Sequence, residues 1–406
     1  MKRNLSVLIA LVMLLTLAFA ASAEDLTMGS WRADDVDNMT QLLAVYEKES
    51  GDHIEFQPTN PQDYNATLRL QLESGTGPDL MYARSYATGA DLYNTGYFAK
   101  INDVAGLKDA FTDQDLDPWT VNGDNFAIPL QAVTHAVYYN KDIFKANNIE
   151  IPTTFEDFLA ACEKLKAAGV TPLANGVKDE WDILECFFLG MLPNYIGGPE
   201  GRVAYENGTA KLNDEKMVAA YTDIGKVASY LPDGFEAVSY NDSQSLFATG
   251  KAAMFMDGSW TIKAYDGVDF EWGTFAMPAP KGNTQATTWH LDAAIGANAA
   301  SPKLEAAKKF LAWLCTQNGA DALSQYLPAG MYPITHMKVT LSDAHSQEML
   351  DLANSISVKD VRFVWPKLMD LYTPMNQAVI AVLEGKQTPQ AAADSVETAF
   401  EALPKK

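Results

Sequence analysis

Five segments within residues 25–83 alternate between strand and helix patterns: DLTMGSW (25–31), VDNMTQLLAVYEKES (36–50), HIEFQPT (53–59), QDYNATLRLQLES (62–74) and PDLMYA (78–83). The second and fourth segments carry apolar residues at helical spacing, whereas the other three are short and strand-like. Strands that alternate with helices in this way predict an α/β fold, built on a parallel sheet with helices on both faces.

The ends of these strands carry aromatic and polar residues instead of more core. Trp31 and Arg32 follow the first strand pattern, and Arg84 follows the third. Ligands of open α/β sheets bind beyond the carboxyl ends of the strands, so we expect these side chains to line a site. A second strand and helix series starts near residue 135, in which Thr153 and Glu156 have capping-box spacing at the start of a helix.

Length and charge limit the possible functions. A chain of 406 residues predicts two domains, and its net charge of −22 predicts that it repels nucleic acid and anionic lipid. A neutral or cationic ligand fits such a surface better than a phosphorylated one. The three cysteines leave one unpaired in any disulfide scheme, and we interpret them as small core hydrophobes.

The amino-terminal residues predict export. Lys2 and Arg3 precede an apolar run at residues 5–20, and residues 21–23 read Ala-Ser-Ala, a pattern that signal peptidase cuts. We therefore predict a signal peptide over residues 1–23. No cysteine lies near the predicted cleavage site, which favours a soluble periplasmic protein over a lipid-anchored one.

Motifs for nucleotide, metal or catalytic sites fail on specific residues. SGTGPD (74–79) is followed by Leu80 where the dinucleotide fingerprint needs its third glycine, and Pro118 replaces the glycine that a calcium loop needs within residues 113–124. The histidines lack the spacing of a zinc site, and no GxSxG elbow occurs. We predict no metal, no cofactor and no catalysis, although the many carboxylates leave a glycoside-cleaving enzyme open as an alternative.

The remaining candidates suit a sugar, whose C–H faces stack on aromatic rings and whose hydroxyls bind planar polar groups. The rings belong to Trp31, Trp181, Trp260, Trp289, Trp365 and Tyr372. The hydrogen-bonding groups belong to Arg32, Arg84, Asp182, Asp257, His290 and Asp292. Trp260 is the most distinctive of these residues, because it follows at once where the apolar strand pattern of GKAAMFMDGSW (250–260) stops at Gly258.

Four blocks of the sequence resemble the extracellular solute-binding proteins of ABC sugar importers, the family that includes maltodextrin-binding protein. One block is SQSLFATGKAAMFMDGSW (243–260), and the others cover residues 74–101, 126–176 and 297–314. The resemblance implies a two-lobed periplasmic-binding-protein fold of type II, in which each lobe is a sheet flanked by helices and the ligand cleft lies at the hinge. It implies lobes formed by residues 24–133 plus 290–333 and by residues 134–289 plus 334–406.

The resemblance also implies roles for single residues. Trp260 takes the position that stacks on a sugar ring in similar proteins. Gln131, Thr134 and His135 fall in the first hinge crossover and are expected to face the cleft, although His135 could equally be a core histidine. Trp289, His290 and Asp292 fall in the return crossover, and Tyr372 or Trp365 supplies a carboxy-terminal aromatic platform.

The function implied by the resemblance is that of a monomeric binding protein, which captures a neutral carbohydrate and delivers it to a membrane permease. Two alternatives within the binding class stay open. One is a ligand such as a polyol or another small polar solute, and the other is a receptor that docks to a sensor instead of a transporter.

Overall fold

The computed structural model describes residues 23–60, 63–361 and 368–404. Its strands are Asp25–Ser30, His53–Pro58, Leu80–Arg84, Thr120–Val121, Asp124–Asn125, Ile128–Val133, His135–Asn140, Thr171–Leu173, Ala252–Gly258, Trp272–Phe275, Ala286–Thr288, His290–Ala297, Tyr332–Pro333 and Val358–Asp360. Its α-helices of eight or more residues are Val36–Ser50, Tyr64–Glu73, Ala87–Asn94, Phe155–Ala167, Pro199–Glu206, Glu215–Val227, Tyr240–Ala248, Leu304–Leu314, Gln317–Tyr326, Ala344–Ser355, Tyr372–Leu383 and Pro389–Glu401. Asp182–Phe188 is a π-helix.

Within the described residues, six strands form a larger sheet. Their order is Tyr332–Pro333, Ile128–Val133, His290–Ala297, Leu80–Arg84, Asp25–Ser30 and His53–Pro58. The strand at residues 25–30 runs parallel to both neighbours, as the alternating pattern predicts. The prediction of a parallel sheet is wrong for the strand at residues 290–297, which runs antiparallel to both of its neighbours. This strand returns from the other half of the molecule, and local periodicity carries no information on its direction.

A smaller sheet in the described residues joins four strands in the order Trp272–Phe275, His135–Asn140, Ala252–Gly258 and Thr171–Leu173. The chain passes from one sheet to the other within two residues, because the strand ending at Val133 is followed at His135 by a strand of the smaller sheet. A second crossover lies at residues 288–290, between the short strand Ala286–Thr288 and the return strand of the larger sheet.

Hydrogen bonds tie the two crossovers together. The Thr134 hydroxyl donates to the Thr288 carbonyl at 2.6 Å, and the His135 amide donates to the Thr288 hydroxyl at 3.1 Å. The Ser259 amide, just past the central strand of the smaller sheet, donates to the Thr134 carbonyl at 2.8 Å. The two crossovers and the end of the smaller sheet's central strand are therefore joined at one place, with these polar groups buried.

One predicted helix start differs from the structure. The capping box is formed by Thr154 and Asp157, one residue later than predicted, and the Thr154 hydroxyl accepts from the Asp157 amide at 3.1 Å. The three cysteines are buried and form no disulfide with one another, in keeping with their interpretation as core residues. In the part of the chain that the structure describes, no helix combines the length and the apolar character needed to cross a membrane.

Candidate ligand-binding site

The ring of Trp260 lies directly over the end of the central strand of the smaller sheet. Every residue of Ala252–Gly258 is buried, and the strand is followed by a 3-10 helix that carries Trp260. A Cβ atom added to Gly258 would lie 2.0 to 2.3 Å from three carbons of the indole ring. Only a glycine admits the ring at this distance, so Gly258 sets where the half-buried Trp260 sits.

Trp260 belongs to an aromatic cluster formed with Trp181, Tyr240 and His135. Its indole Nε1–H donates to the Tyr240 hydroxyl at 2.8 Å, and its ring centroid lies 5.2 Å from that of His135 in a T-shaped contact. The Trp181 and Tyr240 centroids are only 3.8 Å apart, and Trp181 lies 6.3 Å from Trp260. Three of the predicted residues are thus brought together, and Tyr240 joins them.

Two buried carboxylates lie behind this cluster. Asp257 accepts from the Tyr240 hydroxyl at 2.8 Å and from the Gly258 amide at 2.8 Å. Asp182 accepts from the side-chain amide of Asn175 and from the Ser243 hydroxyl, each at 2.7 Å. Both aspartates have 0 % of their surface exposed, and their predicted ligand contact stays a prediction.

Burial also changes the charge of these carboxyls. Loss of hydration disfavours the ionised form and raises the pKa of Asp182 to about 7. Burial raises the pKa of Asp257 to about 8, and the neighbouring Asp182 charge adds to the shift. Hydrogen bonds to each carboxylate offset only part of this effect.

At the larger sheet, Trp31 is core, with 4 % exposure, because Tyr64 and Tyr82 pack edge-on against it. The guanidinium carbon of Arg84 lies 4.0 Å from the centroid of the Trp31 ring. This distance is that of a cation–π contact, and the predicted ligand contact of Trp31 stays a prediction. Arg84 itself is half-buried at the end of its strand.

Charged groups around this strand end form what we call the arginine–aspartate group, consisting of Arg32, Arg84, Asp35 and Asp292. Arg32 donates two hydrogen bonds to Asp35, each at 2.7 Å. Burial disfavours its charged form, but the Asp35 and Asp292 carboxylates outweigh that effect and leave the pKa of Arg32 raised. The group holds two cations and two carboxylates, a balance that suits an uncharged ligand.

The crossovers carry three further predicted residues, His290, His135 and Thr134. His290 is buried, with its Nε2 3.4 Å from the Ser85 hydroxyl and 3.9 Å from Asp292. His135 is buried, and its Nδ1 lies 2.7 Å from the Thr288 hydroxyl, so it serves the crossover as well as the aromatic cluster. Thr134 is buried in the crossover bonds described above, which does not favour the predicted cleft-facing side chain.

Three further predicted residues lie apart from the aromatic cluster. Gln131 is 1 % exposed in the larger sheet, and its Nε2 has no hydrogen-bond partner among the described residues. Trp289 stacks on Tyr332 at 5.5 Å, and the Lys359 ammonium lies 5.2 Å from its ring centroid. The Tyr372 hydroxyl donates to Glu185 at 2.7 Å, within the π-helix that follows Trp181. Trp365 lies outside the described residues.

The family follows from a match over most of the chain. Residues 31–320 match the family model described as bacterial extracellular solute-binding protein. The chain belongs to this family. The matched region contains both crossovers, the aromatic cluster and the arginine–aspartate group.

Individual relatives of this solute-binding protein have names that refer to sugars. It is 26 % identical over 341 residues to the multiple sugar-binding protein of Streptococcus mutans serotype c, covering 80 % of this chain and 78 % of that protein. It is 23 % identical over 363 residues to the maltodextrin-binding protein MdxE of Bacillus subtilis, covering 87 % and 84 %. The solved structure of a chitin oligosaccharide binding protein superposes with a TM-score of 0.79 at 20 % identity, over 94 % of this chain and 99 % of that one. The last likeness shows the two-lobed periplasmic-binding fold.

Sequence reasoning missed two residues that contact candidate site residues of this solute-binding protein. Tyr240 begins a helix behind the Ser239 cap, and nothing in its local pattern marks it as the partner of a tryptophan twenty positions later. Tyr86 follows Arg84 by two residues and has a backbone φ of 57°, rare for a residue with a side chain. Its ring centroid lies 6.3 Å from that of His290. Such a conformation is not readable from one sequence.

Proposed function

We propose that this solute-binding protein captures a neutral carbohydrate and delivers it to the membrane permease of an ABC transporter. The observation that carries the proposal is the aromatic cluster at the crossovers, where half-buried Trp181 and Trp260 offer flat rings for stacking. The charge balance of the arginine–aspartate group supports an uncharged ligand whose hydroxyls it would bind. The names of the relatives described above support the same substrate class.

We propose that the ligand is enclosed by closure of two lobes, formed by residues 24–133 plus 290–333 and by residues 134–289 plus 334–406. The tied crossovers would act as the hinge, and the ligand would favour the closed state through contacts that it makes only there. The Lys263 ammonium donates to the Asn38 side chain at 3.1 Å, a contact between the two proposed lobes at their rim.

The same proposal includes export to the periplasm as a monomer, with the leader at residues 1–23 removed. Binding is proposed to make and break no bond, and no cofactor or metal takes part. Within the described residues, no group of three or more His, Cys, Asp or Glu side chains could hold a metal ion.

The test is a thermal-shift screen of the mature protein against maltotriose, raffinose, xylobiose, diacetylchitobiose, galactose, sorbitol and amino acids. A ligand at 100 times its dissociation constant adds about 2.7 kcal/mol to the free energy of unfolding, which raises the melting temperature visibly. We expect a sugar to produce this shift and the Trp260→Ala variant to lose it. Trp313→Ala, which removes a tryptophan remote from the aromatic cluster, is the control that keeps the shift.

Other outcomes assign the alternatives. A shift with sorbitol alone names a polyol as the ligand and overturns the sugar. Release of shorter sugars from a bound oligosaccharide, seen by chromatography, overturns the absence of catalysis. Uptake of the identified sugar that persists after deletion of the protein from its cell overturns the transport role and favours a sensor-coupled receptor.

A further inference from the structure

We propose that Tyr240 and Asp257 form a positioning unit that holds the rings of Trp260 and Trp181 in their binding orientation before a ligand arrives. This proposal rests on the proposed function, because it deepens the role of the aromatic cluster. Neither residue is proposed to touch the ligand. Tyr240 is 8 % exposed and Asp257 is 0 % exposed, so both lie behind the rings that they hold.

The hydroxyl of Tyr240 has no capacity left for a ligand. It accepts from Trp260 Nε1 at 2.8 Å and from Gln244 Nε2 at 3.1 Å, and it donates to Asp257 Oδ2 at 2.8 Å. A phenol hydroxyl has one hydrogen to donate and two lone pairs to accept with, and all three are used. A residue saturated in this way acts on binding only through the groups that it orients.

Asp257 fixes the hydroxyl of Tyr240 in turn. Its Oδ1 accepts from the Gly258 amide at 2.8 Å and from the Cys186 thiol at 3.3 Å, which leaves Oδ2 aimed at Tyr240. Two residues at the end of the same strand therefore constrain the position of the Trp260 ring. Gly258 leaves room for the ring because it has no side chain, and Asp257 holds the ring through Tyr240.

The positioning unit also contacts the second tryptophan of the cluster, Trp181. Tyr240 packs against Trp181 with ring centroids 3.8 Å apart. Asp182, the next residue, accepts from the Ser243 hydroxyl on the helix that begins at Tyr240. Two contacts thus hold the Trp181 segment to the Tyr240 helix, so Tyr240 lies at the point where both tryptophans are anchored. Rings held before binding lose less conformational entropy when the ligand arrives.

The experiment compares wild type with Tyr240→Phe, which keeps the ring and removes the hydroxyl. Tyr195→Phe is the matched control. Tyr195 is also a buried tyrosine whose hydroxyl donates to an aspartate, Asp223, at 2.9 Å, and it lies in the half of the molecule that contains the smaller sheet. The first readout is the indole N–H resonance of Trp260 in ¹H–¹⁵N spectra without ligand, assigned with Trp260→Phe. We expect Tyr240→Phe to shift this resonance and to speed its exchange with water, and Tyr195→Phe to leave it in place.

The second readout is the dissociation constant of each panel sugar, measured by titration calorimetry. We expect Tyr240→Phe to weaken binding about tenfold, equivalent to about 1.4 kcal/mol, while Tyr195→Phe stays within about twofold of wild type. Asp257→Asn, which places an amide NH₂ where one carboxyl oxygen was, is expected to shift the indole resonance and weaken binding in the same direction.

The outcomes separate the two proposals. An unmoved indole resonance in Tyr240→Phe overturns the positioning unit, and so does an equal loss of affinity in Tyr195→Phe. If no panel sugar binds wild type, the proposed substrate class fails. The indole resonance of Tyr240→Phe still decides whether the unit holds Trp260, because that measurement needs no ligand.

Discussion

Replacing Gly258 with alanine tests whether the Trp260 ring depends on the absence of a side chain at this position. The new Cβ would lie as close as 2.0 Å to the ring, whereas ordinary contact begins at 3.4 Å, so the ring must retreat by about 1.4 Å. The backbone at Gly258 has φ −83° and ψ 165°, a conformation open to any residue. The loss of stability caused by the alanine is therefore expected to come entirely from displacement of the Trp260 ring.

The expected magnitude follows from that displacement. Overpacking of a filled site costs about 1–3 kcal/mol, and a retreat of this size breaks the 2.8 Å hydrogen bond from Trp260 to Tyr240 if the ring moves away from the hydroxyl. In a Trp260→Ala background the alanine Cβ has no ring to meet, so the same change costs about 0 kcal/mol. The coupling between the two positions is thus expected to equal the full cost, about 1–3 kcal/mol.

This double-mutant cycle is measured by urea unfolding, monitored by circular dichroism. The proteins compared are wild type, the two single variants and the double variant. Titration with the sugar identified in the thermal screen adds a functional readout, and Gly258→Ala is expected to weaken binding. An alanine that costs the same in both backgrounds, or costs nothing in either, would refute the placement of the ring over Gly258.

Three further predictions concern the buried polar groups. Because the pKa values of Asp182 and Asp257 are raised by folding, their contribution to stability is full below about pH 4 and is lost as the pH rises to about 8; Asp257→Asn should flatten this fall in urea titrations. Arg202→Ala leaves two buried carboxylates without their cation and is expected to cost about 3–5 kcal/mol in the same assay. Thr288→Val removes the acceptor of the His135 amide and is expected to cost about 1–3 kcal/mol.

An Asp257→Asn variant whose free energy of unfolding changes between pH 4 and pH 8 as that of wild type does would contradict the raised pKa of this carboxyl. Lys108→Ala, at an exposed ion pair, should cause no measurable change, and an equal effect there would contradict the Arg202 argument. Thr288→Ser keeps the hydroxyl and should restore stability; a loss as large as that of valine would show that packing, not the hydrogen bond, matters.

Much of the fold was predictable because its signals are local. The helix predicted at residues 36–50 is observed as Val36–Ser50, and the strand predicted to stop at Gly258 is observed as Ala252–Gly258. Apolar spacing over a few residues encodes these elements. The predicted capping box lies one residue too early because Thr153 and Thr154 both have suitable side chains, and only the observed helix start at Phe155 makes Thr154 the cap.

The candidate site was predictable in part. Trp260 and Trp181 share one cluster, as a sugar site would need, and their contact roles stay predictions. Trp31 and Asp257 are of the expected residue types at strand ends, yet they are buried. A strand end exposes some side chains and covers others, and which is which depends on neighbours that lie far away in the sequence.

The sequence by itself determined the order of strands and helices, the excess of negative charge and the candidates at the strand ends, since each depends on residues close together in the chain. Only the tertiary structure decided the antiparallel direction of the strand at residues 290–297 and the bond from Trp260 to Tyr240. It alone decided that Arg84 covers Trp31. These features join residues 20 to more than 200 positions apart, and their energies arise only when packing brings those residues into contact.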